Sequence, residues 1–158
     1  MKNRRINFLK LSIIIIGAIL LLVCTLWLPQ LATSTAKMNP EYAYLKYPIL
    51  ISIYATTIPF YFSLYEALKL LNYVGNKKAF SQLAVNSLGY IKNCATIIII
   101  LYLIGIFYLA LHHILHPGIA IISLAIIFTT LTISLFITIL QELLKEALKI
   151  KSENDLTI

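Results

Sequence analysis

Charge is what this chain has least of: Asp, Glu, Lys and Arg make up only 12% of its 158 residues, against about 25% in a soluble domain. Acidic residues number just six, against thirteen Lys and Arg. The five glycines, Gly17, Gly75, Gly89, Gly105 and Gly118, never come close enough together for a phosphate-binding loop, and they exclude a collagen-like repeat. Two cysteines exclude a disulfide-stapled secreted scaffold. There is no HExxH or GxSxG, and no pair of carboxylates inside an apolar run, so the sequence offers no catalytic residues, no metal ligand set and no cofactor site. The expectation is a protein that is not an enzyme.

What the chain does have is apolar length. It is 60% hydrophobic, with a mean hydropathy of +0.89, which excludes both a water-soluble globule and intrinsic disorder. Four stretches reach the roughly 20 apolar residues that a bilayer requires. They predict spans at about 9–30, 47–70, 93–115 and 117–141. Runs such as Ile13-Ile14-Ile15-Ile16 and Ile97-Ile98-Ile99-Ile100 do not alternate in polarity, so a β-barrel is excluded and the spans are helices, whose backbones satisfy their own hydrogen bonds in lipid. The fold class is therefore all-α: an integral membrane four-helix bundle forming one transmembrane domain.

Lys2, Arg4, Arg5 and Lys10 before the first span also describe the start of a signal peptide, and Ala32-Thr33-Ser34-Thr35-Ala36 offers small residues. The apolar run over 11–28 is longer than the roughly 7–15 residues of a signal-peptide core, so the first span is expected to remain uncleaved.

Orientation follows from the distribution of Lys and Arg. Four precede span one; Lys69, Lys77, Lys78 and Lys92 fall between spans two and three; Lys145, Lys149 and Lys151 follow span four. The opposite side holds only Lys37 and Lys46, a bias of eleven to two that puts both termini in the cytoplasm. Trp27, Tyr42, Tyr44 and Tyr47 gather at the outer boundary, and Tyr65, Tyr73 and Tyr90 near the inner one. The net charge of +7 is thus a topology signal, with no direct nucleic-acid partner required. The partner it does require is the lipid bilayer, and the location it implies is a bacterial cell membrane crossed several times.

Outside the lipid, residues 72–92 read as a cytoplasmic loop. Gly75 and Asn76 supply a turn and cap, and an amphipathic helix follows, with Phe80, Leu83, Ala84, Leu88 and Ile91 near helical spacing. The fourth helix extends into the cytoplasm as part of a 142–158 tail, where Glu142/Lys145 and Glu146/Lys149 are spaced as i,i+3 pairs. The segment from Lys151 to Ile158 reads as irregular.

The most informative polar pattern is in span two. Ser52, Thr56, Pro59, Ser63 and Glu66 share one helix face, the side that packs on other helices or on water. Glu66 lies about 19 residues, roughly 28 Å, into its helix, so it is expected at the cytoplasmic interface in an exposed pair with Lys69. Thr130, Ser134, Thr138 and Gln141 make a matching stripe in span four, read as helix packing. His112, His113 and His116 stand at the outer end of span three; His112 and His116 have i,i+4 spacing but no nearby Cys, Asp or Glu, so they read as interfacial histidines. Cys24 and Cys94 sit at depths some 20 Å apart and are expected to be separate buried thiols.

Several segments carry a family resemblance. They are Tyr47-Pro48-Ile49-Leu50, Asn76-Lys77-Lys78-Ala79-Phe80-Ser81, Tyr90-Ile91-Lys92-Asn93-Cys94-Ala95 and the terminal Lys151-Ser152-Glu153-Asn154-Asp155-Leu156-Thr157-Ile158. Together these make the chain resemble domain-of-unknown-function family 2975, small bacterial integral membrane proteins typically of four spans. The doubled Lys77-Lys78 departs from a pattern that often has one Lys. The resemblance implies no catalytic residues. It does imply a neighbouring small helix-turn-helix regulator, and hence a membrane partner or sensor for it, docking through Phe80, Leu83, Glu153 and Asp155. The alternative is a small transport or immunity-type protein using the stripe of span two. Either reading leaves room for a homo-oligomer.

Overall fold

The computed structural model describes residues 1–157; Ile158, the last residue of the expected tail, lies outside the described residues. Helices α1 (Lys2–Leu22) and α2 (Leu28–Met38) are joined by a π-helical turn, Val23–Trp27, into one rod. A 3-10 turn, Pro40–Leu45, leads into α3 (Lys46–Gly75), followed by α4 (Gln82–Leu111) and α5 (Pro117–Leu156). No strand occurs among the described residues. Four helical segments, Lys2–Met38, Pro40–Gly75, Gln82–Leu111 and Pro117–Leu156, are long and apolar enough to cross a membrane.

Local chemistry explains where the helices break. Asn39 leaves the helical region (φ −129°, ψ 77°), as expected for a residue before proline. Ser81 caps α4, its hydroxyl accepting from the Ala84 N–H. His116 caps α5 through Nδ1, which accepts from the Gly118 N–H at 3.1 Å, with Pro117 in the first turn. The C-termini of α3 and α4 close alike. Lys78 N–H reaches back to Tyr73 O and Lys77 N–H to Val74 O; Ile114 N–H reaches Leu109 O and His113 N–H reaches Ala110 O. Each closure needs one left-handed residue, and here these are Lys77 (φ 58°) and His113 (φ 56°) rather than glycine. Gly75 was expected to make the first of these turns but instead ends α3 as an ordinary helical residue.

The helices pack in chain order: α1 on α3, α3 on α4, and α4 on α5, with no substantial contact between α1 and α5. The central helix α4 supplies much of the core through Ala84, Val85, Ser87, Leu88, Cys94 and Ala95, all in its first half. Lipid is as apolar as a leucine side chain, so helices associate by close packing and shared hydrogen bonds. Small residues on α4 permit that close approach.

The amphipathic helix of the 72–92 loop begins at Gln82 and runs unbroken into the third span as α4, with Ala84, Val85 and Leu88 buried by the other helices. Two further expectations are corrected. The tail segment read as irregular is helical through Leu156. The i,i+3 pairs of α5 do not form: among the described residues the one ion pair is Glu66–Lys69. Exposed i,i+3 pairs gain too little to hold two long side chains in one geometry.

Candidate functional site

The polar stripe of α3 divides into two kinds of residue. Its hydroxyls turn back onto their own helix: Ser52 donates to Pro48 O, Thr56 to Ile53 O and Ser63 to Phe60 O. Ser52 is exposed, Thr56 and Ser63 are half-buried, and Pro59 is buried inside an unbroken α3.

Glu66 is different. The residue is 2% exposed, so the expected solvent-exposed pair is overturned: close packing of α3 on α4 covers the carboxylate even at the end of the span. The expected partner is correct, since Lys69 Nζ donates to Oε1 at 3.3 Å. The Lys69 side chain keeps 35% exposure and lies over the Tyr65 ring, 5.4 Å from its centroid. Among the described residues no donor reaches Glu66 Oε2.

The stripe of α5 makes one crossing contact. Gln141 Nε2 donates to the Val85 carbonyl on α4 at 3.0 Å, and Ser134, two turns earlier on α5, is buried. Gly89 makes room for this reach, because a Cβ there would come within 3.1 Å of Gln141 Nε2. Thr130 and Thr138 bond their own helix, to Ile126 O and Ser134 O.

Sequence reasoning missed the joint between α1 and α3. Tyr54 Oη donates to Cys24 O at 2.9 Å and Tyr61 Oη to Gly17 O at 2.7 Å. Pro29 was the available signal, since a proline inside an apolar helix removes a donor from a preceding carbonyl. Beside this joint runs a shallow apolar groove lined by Ile13, Gly17, Leu21, Tyr61, Leu64 and Leu68.

The three histidines take separate structural places. His112 packs on Tyr108 (centroids 4.6 Å) and edge-on to Tyr44 (6.3 Å), His113 is the left-handed residue, and His116 is the α5 cap. Because α4 ends at Leu111, His112 and His116 do not share a helix face. Cys24 and Cys94 are free buried thiols.

The proposed docking residues do not form a single patch. Phe80, in the turn before α4, is 61% exposed, and Leu83, in its first turn, is 49% exposed. Gln141 is level with Val85, three residues into α4. The last ten or so residues of α5 therefore project about 15 Å past α4, carrying the exposed Glu153 and Asp155 with them.

The family described as "Protein of unknown function (DUF2975)" matches residues 30–158. The chain is 48% identical over 153 residues to the "Uncharacterized membrane protein YoaS" of Bacillus subtilis (strain 168), covering 96% of each protein. No solved structure matches it.

Proposed function

The chain belongs to the DUF2975 family of proteins of unknown function, and from that membership we propose that it is a non-enzymatic, multi-pass protein of the bacterial cell membrane that holds a small cytoplasmic regulator at the membrane surface. The observation that carries this reading is the reach of α5, whose last turns stand clear of α4 and offer Glu153 and Asp155 to the solvent. Phe80 and Leu83 present apolar side chains at the same end of the molecule. The eleven-to-two distribution of Lys and Arg assigns that end to the cytoplasm. The partner is the kind the family resemblance implies, a compact helix-turn-helix protein.

A transport or immunity-type role through Ser52, Thr56, Ser63 and Glu66 has less support, since the three hydroxyls are bonded to their own helix. The docking reading is tested with a photo-crosslinking residue placed at Phe80, Leu83, Glu153 or Asp155 in living cells. One soluble protein captured from these positions, and not from Trp27, is the expected result. If none of the four captures a soluble protein, the docking role is wrong.

A further inference from the structure

We propose that α5 is also a self-association helix, through which two copies of this chain pair in parallel. Phe136, Leu140, Leu143, Ala147, Ile150 and Asn154 follow one another at steps of 4, 3, 4, 3 and 4 residues, the seam spacing of a two-stranded coiled coil. Phe136 (65%), Leu140 (41%), Leu143 (57%) and Ile150 (66%) are all exposed, because α4 covers a different face, that of Ile137 and Gln141. Lipid tails do not cover the lower part of this seam. It continues past Glu142, the first charge of α5, and past the beginning of α4.

A second copy fits it better than an unrelated protein does. Copies inserted into one membrane share one orientation, so a twofold axis along the membrane normal sets the two α5 helices parallel. In a parallel seam each residue flanking one edge meets the residue five positions further on in the partner helix. Glu146 then meets the partner's Lys151, and Lys151 meets the partner's Glu146. Asn154 falls at a core position, where a polar residue fixes register and favours two strands. Two heptads are short for an isolated coil, but the membrane-spanning part of α5 already holds both helices upright and side by side.

The test uses the full chain in its native membrane, with Cys24→Ala and Cys94→Ala, and a single new cysteine from Leu143→Cys, Ile150→Cys or Ser152→Cys. Under mild oxidation, disulfide-linked dimers are expected from positions 143 and 150, forming about tenfold more than from 152, whose side chain points away from the seam. Lys151→Glu in the Ile150→Cys chain should weaken association about tenfold, and adding Glu146→Lys should restore it. Equal crosslinking at all three positions, absent crosslinking at 143 and 150, or a charge exchange that restores nothing would overturn the proposal.

Discussion

The phenol of Tyr54 on α3 donates to the backbone carbonyl of Cys24 at 2.9 Å, across the joint between the first two membrane segments. Pro29 creates the need for it. The Leu28 N–H bonds Val23 O in the π-turn, and Pro29 has no N–H to offer, so neither residue serves the Cys24 carbonyl. A carbonyl with no donor in an apolar surrounding is costly. Tyr54→Phe should therefore destabilise the protein by about 1–2 kcal/mol. In a Pro29→Ala background, where the helix can supply its own donor, the same substitution should cost much less. Reversible unfolding of the four variants in detergent measures the coupling; equal costs in both backgrounds would refute the account.

The Gln141–Val85 bond and the missing side chain at Gly89 work together. Gln141→Leu should cost about 0.6–1.7 kcal/mol, the range for hydrogen bonds between membrane helices. Gly89→Ala should displace the Gln141 amide and lose the same bond. The double variant should then cost little more than either single one. Additive costs in the unfolding cycle would show the two positions to be independent.

Glu66 and Lys69 form an asymmetric pair, one partner buried and the other reaching water. Lys69→Met strands a carboxylate in the core and should cost clearly more than removing the carboxylate itself. Glu66→Gln removes the buried charge and leaves a lysine that can extend to the headgroups, so its cost should stay within about 1 kcal/mol. The ordering of the two costs in unfolding experiments is the check, and the reverse ordering would place Glu66 in a wet site.

Lys77 and His113 hold left-handed backbone conformations that glycine adopts without a Cβ penalty. Lys77→Gly and His113→Gly should each stabilise the folded protein by about 0.5–1 kcal/mol. A raised unfolding midpoint for both variants, with unchanged helix content by circular dichroism, is the expected outcome.

The charge bias predicts which face each turn meets. In a chain lacking its own cysteines, His113→Cys should react with an impermeant thiol reagent added outside intact cells. Lys78→Cys should react only after the membrane is opened. Labelling in the opposite order would invert the topology.

The sequence by itself determined the class of protein and the number of helices long and apolar enough to cross a membrane. Those features depend on uninterrupted apolar length and on the few charges between the runs, which a linear reading captures. The face shared by Ser52, Thr56, Pro59, Ser63 and Glu66 was also legible, because helical periodicity alone sets it. The state of Glu66 was not. Its position along the helix placed it at the interface, but its burial depends on how closely α4 approaches, through Ala84, Ser87 and Cys94. The Tyr54 and Gln141 bonds were out of reach for the same reason: each joins residues 30 and 56 positions apart in the chain. The extension of α5 past its apolar run was legible, but its end was misread from Lys151 on, where polar residues crowd together although the helix continues through them to Leu156. Helix packing order, α1 on α3, α3 on α4 and α4 on α5, was decided only by the tertiary structure, because the polar stripes of spans two and four mark a face that packs without saying which helix it meets, and lipid competes for the apolar faces.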